Sequence, residues 1–339
     1  MINDLTSVII PVGSFESIKN INRTIESLLL NADESIEIIV MLDNWETDAI
    51  ISDDRVSVAH FNENMGERKL VNQGFSLSRG EFVFRIDAHC SVTPSWDVKL
   101  KDSCRKHSIA VCVIVPIKEE TWEFSGSDCM FVYVNPRMEE KWWSSYKEID
   151  HCDPEEPMMS LTGCGWMVKR SYFLEEMCGF DESLSEWGCI GPEVSLKVYG
   201  NGGDIILRTD VRCGHLFHAN SKGYSVPAVI KTRKALATVE NLSILYDIQQ
   251  RFSPVPEWKK ITKEEFISSF KVENIISKKK TIIERDDRGE ICKRKTIYYK
   301  PSKNLQPLEI EDWVEEKYIV EKIEISQIID GEWKTTSTE

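Results

Sequence analysis

The 339-residue sequence contains no Cys-x-x-Cys pair, although it has ten cysteines. That absence argues against a zinc ribbon or a dithiol redox motif. Free thiols in a reducing compartment are the simpler expectation. There is no Gly-x-Gly-x-x-Gly after the first apolar run, where Pro11-Val12-Gly13-Ser14-Phe15 carries a single glycine. A dinucleotide fingerprint is therefore missing, and no P-loop motif occurs elsewhere. The longest apolar run, Ile109 to Ile117, is broken by Pro116. A membrane span needs roughly 18–20 apolar residues, so none is expected. The first residues have Asp4 where a signal peptide would be basic. The chain as given reads as cytoplasmic. No repeat of about 20–50 residues is visible, which excludes solenoids and propellers.

A hydrophobic share of 41% with 29% charged residues is globular, not disordered. The net charge is −14, unevenly spread. Residues 259–303 hold 14 Lys/Arg against 7 Asp/Glu, and residues 304–339 hold 3 against 10. A boundary near Pro254-Val255-Pro256 follows, with one domain over 1–253 and an extension over 254–339. The basic stretch is either a solvated face neutralised by the acidic tail or a phosphate-facing surface.

Ser7–Val12, Ile36–Leu42, Val56–Phe61 and Glu81–Ile86 are short apolar runs of strand length. Helical spacing fills Ser17–Leu30 and Glu67–Ser78 between them. Alternating strands and helices predict an α/β fold with a mostly parallel sheet. Ala110–Pro116 and Ser160–Lys169 read as further strands, with an irregular, Trp-rich stretch over 118–160. Pro192–Tyr199 reads as a helix, Gly203–Leu207 and Arg212–Phe217 as the last strands, and Tyr224–Gln249 as mostly helical. Lys295–Lys300 and Tyr318–Gln327 are candidate strands of the extension.

Ligands of such sheets bind at the carboxyl ends of the strands. Asp43 and Asp87 stand there. Asp87-Ala88-His89 follows a buried strand, and His215 ends another. One carboxylate with two imidazoles is a mixed O/N set suited to Mn²⁺, Fe²⁺ or Zn²⁺. The competing reading is a turn with a hydrogen-bonded imidazole.

Four blocks in order resemble GT-A fold glycosyltransferases of family 2. They are the strand Ser7–Val12, the block Ile36–Trp45, the block Asn64–Gly74, and Arg79–Cys90. The later blocks look most like polypeptide N-acetylgalactosaminyltransferases. Those enzymes have Asp-Ser-His-Cys where this chain has Asp87-Ala88-His89-Cys90. They have Trp-Gly-Gly-Glu-Asn-Leu-Glu-Ile-Ser at Trp187–Ser195, and Arg-Val-Gly-His-Val-Phe-Arg at Arg212–His218. The resemblance covers about residues 5–220, without a lectin domain.

It implies transfer of a hexosyl, N-acetylhexosaminyl or pentosyl group from a UDP-sugar, with Mn²⁺ or Mg²⁺ held by Asp87, His89 and His215. By position, Asp43, Asn64, Gly66, Lys69, Asp87, Gly163, Gly165 and Trp166 would meet the donor. Glu193 and Trp187 are the candidates for the chemistry. The Glu-Asn pair of the relatives is Ile190-Gly191 here, so no carboxylate stands where many inverting enzymes keep their base. Glu193 is the nearest replacement, with Glu186 before Trp187, and a retaining reaction is favoured.

Three functions follow. The first is metal-dependent transfer to a hydroxyl of a glycan, lipid-linked sugar or peptide. The second is the same transfer to a hydroxymethylated base of DNA, with Lys278, Lys279, Lys280, Lys293, Arg294 and Lys295 on phosphates. The third is a non-catalytic binder of nucleotide sugar or carbohydrate on a decayed scaffold.

Overall fold

The computed structural model describes residues 1–129, 131–143, 146–147, 149–184, 188–217, 226–252, 262–270, 278–285, 291–301, 318–329 and 332–338. From 278 onward it describes the backbone alone. Two compact units result, Met1–Lys263 and Glu264–Glu339.

The first unit starts on β1 (Ile2–Gly13), α1 (Ile18–Asn31), β2 (Ile36–Asp43), β3 (Val56–Phe61), α2 (Gly66–Leu77) and β4 (Gly80–Arg85). The apolar runs of β1 and β2 are continuous because both faces are covered. Val8, Ile10 and Val12 join Ile21, Ile25 and Leu28 of α1 in one core cluster. Ile9 faces the other way, against α2: a Cβ placed on Gly74 would lie 2.7 Å from its Cγ2. Gly74 is what lets that helix approach the sheet.

β5 (Cys90–Val92), α3 (Trp96–Ser103) and β6 (Ser108–Pro116) follow. The stretch read as irregular holds a hairpin, β7 (Val132–Val134) and β8 (Glu140–Trp142), and then β9 (Glu155–Pro157). Asn135 closes the hairpin turn, its Oδ1 accepting from the N–H groups of Arg137 and Glu139 at 2.9 and 3.1 Å. Such a side-chain turn has little apolar periodicity to betray it. β10 is Trp166–Lys169 only, because Gly163 to Gly165 form a bend with Gly165 at φ +74°. A π-helical turn spans Tyr172–Glu176, and α4 spans Ile190–Gly200.

The two strands expected after Gly203 are one, β11 (Asp204–His215), with a register irregularity between Arg208 and Arg212. The helical stretch beyond is two helices, α5 (Val226–Leu236) and α6 (Val239–Arg251). Thr238 separates them by capping α6, its side chain accepting from Asn241 N at 3.1 Å. α7 (Lys263–Phe270) follows.

The large sheet has the order β3-β2-β1-β4-β10-β6-β11-β5, with β9 also on β11. β1, β2, β3 and β4 are parallel, and so are β6 and β11. β10 runs antiparallel between β4 and β6. The sheet is thus mostly parallel. The carboxyl ends of β1, β4, β6 and β11 share one edge.

Among the described residues, the second unit holds α7 from its second residue on and a four-stranded antiparallel meander of β12 (Lys278–Arg285), β13 (Ile291–Pro301), β14 (Tyr318–Ile329) and β15 (Glu332–Thr338). Register pairs Lys278 with Tyr299, Lys280 with Ile297, Ile282 with Lys295 and Glu284 with Lys293. Directly paired residues share a face, so Lys278, Lys280, Lys293 and Lys295 fall on one face and Lys279 and Arg294 on the other.

Candidate active site

A cleft of about 390 Å³ opens at the shared carboxyl edge. Asp87 stands two residues past the end of β4, and His215 ends β11. β5 pairs antiparallel with β11 so that His215 lies opposite Cys90. That register carries His89 beside His215. The His89 and His215 Nε2 atoms are 3.2 Å apart, and His215 Nε2 is 3.1 Å from Asp87 Oδ2. Residues 128 positions apart therefore meet only through the sheet.

Each member is held from behind. Arg85, buried on β4, sets a guanidinium nitrogen 2.6 Å from Asp87 Oδ1 and pairs with Glu67 on its other side. Glu16 Oε2 lies 2.6 Å from His89 Nδ1. Glu16 Oε1 accepts from Ser17 N and Asn20 Nδ2. A carboxylate behind an imidazole fixes ring and tautomer, the usual support of a metal-binding histidine.

The ionisations follow. Burial works against a charged Asp87, but Arg85, His215 and His89 hold its carboxyl well below the usual range. Burial also disfavours a charged His215, yet Cys164 and Asp87 raise its pKa. Glu16 is held low, its burial outweighed by His89 and the Ser17 and Asn20 donors. Glu67 is pushed up by burial, with Arg85 opposing and Asp87 adding to the rise.

The donor set fits a divalent cation. His215 Nε2 faces both a carboxylate oxygen of Asp87 and the Nε2 of His89, and two ring nitrogens facing each other need either a shared proton or a shared ion. Cys164 Sγ also lies within 4.8 Å of the Asp87 and His215 donor atoms. The same sulfur joins Cys90 and Cys213 in a buried group of three. The nine cysteines whose side chains are described are all unpaired.

The other expected residues sort clearly. Gly163 lines the cleft, and a Cβ there would touch nothing within 4 Å. Gly165 lies behind it, packed toward Ile114 and Cys213. Trp166 is fully buried, stacked on Phe75 and tilted on Phe173, and does not reach the cleft. Its indole N–H donates to Gly163 O at 3.2 Å, so it supports the bend from beneath.

Asp43 is 3% exposed and accepts from Met65 N at 2.6 Å and Gly66 N at 3.1 Å. It is a tertiary cap for α2, whose own N-cap position, Met65, offers no side-chain bond. Asn64 and Lys69 are exposed, and Gly66 turns with φ +73°.

Glu193 is 1% exposed and does not line the cleft. Its Oε2 pairs with Arg68 Nε at 2.8 Å. Its Oε1 accepts from Asp181 N at 2.7 Å and lies 3.2 Å from Lys197 Nζ. Burial draws it into a lock between α2 and α4. Trp187 and Glu186 lie outside the described residues, and for the basic residues of β12 and β13 only the backbone is described.

Glu16, Glu67, Arg85, Glu140 and Arg233 line the cleft without having been singled out. Arg85 had a signal: a cation two residues before Asp87, directly after the apolar run Phe82-Val83-Phe84. Glu140 had none, being one acid in a charged, irregular stretch.

Residues 7–175 match the family model described as Glycosyl transferase family 2. The chain has the GT-A fold and resembles family 2 glycosyltransferases over those residues. The chain is 26% identical over 197 residues to polypeptide N-acetylgalactosaminyltransferase 13 of Homo sapiens, covering 54% of this chain and 35% of that protein. It is 28% identical over 223 residues to probable N-acetylgalactosaminyltransferase 7 of Caenorhabditis elegans, covering 58% and 36%. This chain spans about a third of the length of these relatives. A crystal structure of GalNAc-T7 with UDP, GalNAc and Mn²⁺ matches with a TM-score of 0.55 and 18% identity, over 78% of this chain and 54% of that one. That likeness is one of fold. Among the described residues, no helix is long and apolar enough to cross a membrane.

Proposed function

We propose that this glycosyltransferase moves a sugar from a UDP-sugar to a hydroxyl acceptor with a divalent cation, Mn²⁺ or Mg²⁺, at Asp87, His89 and His215. The observation that carries the proposal is that His215, at the carboxyl edge of the sheet, faces both Asp87 and His89, with Glu16 behind His89 and Arg85 behind Asp87. A cation bound there supplies Lewis-acid neutralisation of the diphosphate leaving group. The protein's own part is placement. Arg85 holds Asp87 ionised with one oxygen turned to His215. Glu16 orients His89. Gly163 leaves the cleft wall bare, so a sugar can lie against backbone. Asp43, through Met65 and Gly66, sets the start of α2, which delivers Glu67 to Arg85 beneath the site. Asn64, Gly66 and Lys69 stand on the same turn and helix, on the side where the nucleotide is expected.

We assign the chemistry to the first unit and, within it, structural roles to Trp166 and Glu193. The test is thermal unfolding against a panel of nucleotide sugars with and without Mn²⁺. A ligand at a hundredfold its Kd adds about 2.7 kcal/mol of apparent stability. A cation-dependent rise with a UDP-sugar, followed by UDP release when glycans, peptides or hydroxymethylated DNA are added, supports the proposal. No rise with any UDP-sugar refutes it.

A further inference from the structure

Four carboxylates line the cleft: Glu16, Glu67, Asp87 and Glu140. Three are already engaged, Glu16 with His89, Glu67 with Arg85, and Asp87 with Arg85 and His215. Glu140 on β8 differs. Among the described residues, its carboxylate has no hydrogen-bond or ion-pair partner, whereas its neighbour Glu139 is tied to Asn135, Lys141 and Arg233. Glu140 also borders a second hollow of about 360 Å³ that shares Asp87, Gly163 and His215 with the first. It therefore stands between two openings onto the same cation-binding residues.

Its place is tied to Gly191. A Cβ built on Gly191 would lie 1.9 Å from Glu140 Oε1. Residue 191 is where the resembled enzymes carry a polar side chain and this chain carries none. The space is filled here by that carboxylate, from the β7–β8 hairpin, together with the Leu161 carbonyl oxygen, 2.2 Å from the same Cβ position. Glu193, the other candidate on α4, has both oxygens engaged away from the cleft.

We infer that Glu140 is the catalytic base of this domain, taking the proton of the acceptor hydroxyl. The inference rests on the transferase reading above. The acceptor O–H proton passes to the Glu140 carboxylate as the acceptor oxygen forms a bond to the anomeric carbon. The bond from that carbon to the diphosphate oxygen breaks, and its electron pair leaves with UDP. One displacement inverts the anomeric centre, in place of the retention expected when no carboxylate was visible at Ile190-Gly191.

The surroundings suit a base. Glu140 as a residue is exposed, but its carboxyl end is packed against Gly191. Loss of water there pushes the carboxyl up to about 8; Arg233 of α5 opposes the rise, and Glu67 of α2 and Cys164 add to it. In that range the ionised Glu140 is a stronger base than an ordinary glutamate, and its proton-accepting fraction grows as pH rises toward about 8.

The experiment compares the full chain with Glu140→Gln and Glu140→Ala, using the UDP-sugar and acceptor found for the wild type. Both variants should keep the Mn²⁺-dependent donor shift in thermal unfolding. Both should lose kcat by about 10²–10⁴-fold, the contribution of a positioned base. Wild-type kcat/KM should rise with pH and level off above the Glu140 pKa, and that limb should vanish in the variants. The product should have the inverted anomeric configuration by NMR. Wild-type rates with an unchanged pH profile in Glu140→Gln would overturn the inference, and so would a retained configuration. Loss of the donor shift in both variants would move Glu140 to donor binding and overturn it too. A wild type that takes no UDP-sugar overturns the transferase reading itself, and the inference with it.

Discussion

Glu193→Gln should be a stability variant with nearly intact chemistry. The Glu193 and Arg68 side chains are 1% and 2% exposed and 2.8 Å apart. Removing one charge of a buried pair takes the counter-charge from the other, which costs about 3–5 kcal/mol. The same change weakens what Oε1 offers to Asp181 N and Lys197. For a unit of this size each kcal/mol shifts the melting temperature by about 2–4 °C, so the expected loss is roughly 6–20 °C. Replacing both partners by apolar residues, Arg68→Met with Glu193→Met, should recover part of it, because no lone charge then stays buried. The assay is thermal unfolding, paired with UDP release measured well below the lowered melting point. There the variant should turn over within about threefold of wild type, since the salt bridge touches no cleft-lining carboxylate. A melting point within about 1 °C of wild type, together with a hundredfold slower turnover, would refute this reasoning and return Glu193 to the acceptor site.

Further outcomes follow from the same geometry. Glu16→Gln removes the carboxylate behind His89 and should weaken Mn²⁺ binding by about 10–100-fold in a metal titration, without abolishing the fold. Because the His215 pKa is raised, a cation must displace a proton there as pH falls through that value, so Mn²⁺ affinity should be stronger at pH 8 than at pH 6. Equal affinities at the two would count against His215 as a ligand. Glu37 is held below its ordinary pKa, its burial outweighed by donors from Ser7 and Arg79. Its contribution is present above the unfolded-state value near 4.3 and is lost as pH falls through the folded value, so Glu37→Gln should flatten the acid limb of stability in that range. Gly163→Ala has open space for its methyl and should leave the melting temperature unchanged while lowering donor affinity in the nucleotide-sugar titration.

The order of strands and helices through β4 was legible because its signal is local. Buried runs of β-branched residues and helical spacing show in any window of a dozen residues. That Asp87, His89 and His215 lie at one edge of the sheet was legible for a related reason: each sits at the end of a strand, and strand ends on one edge of a parallel sheet gather at one place. What local pattern does not carry is the identity of the partner. Asp43 at a strand end looks the same whether it meets a nucleotide or, as here, caps the next helix. Trp166 beside two glycines looks like a cleft wall, yet strand alternation turns it into the aromatic cluster of Phe75 and Phe173. Glu193 in a helix's first turn gives no sign of Arg68, 125 residues away. The hairpin that brings Glu140 against Gly191 joins segments about fifty positions apart with no shared periodicity. Composition, strand order and the metal-type residues were thus written in the chain itself. Which of the cleft-lining carboxylates are engaged and which is not was settled by tertiary packing, because burial and long-range pairing decide where a charged side chain can remain without a partner.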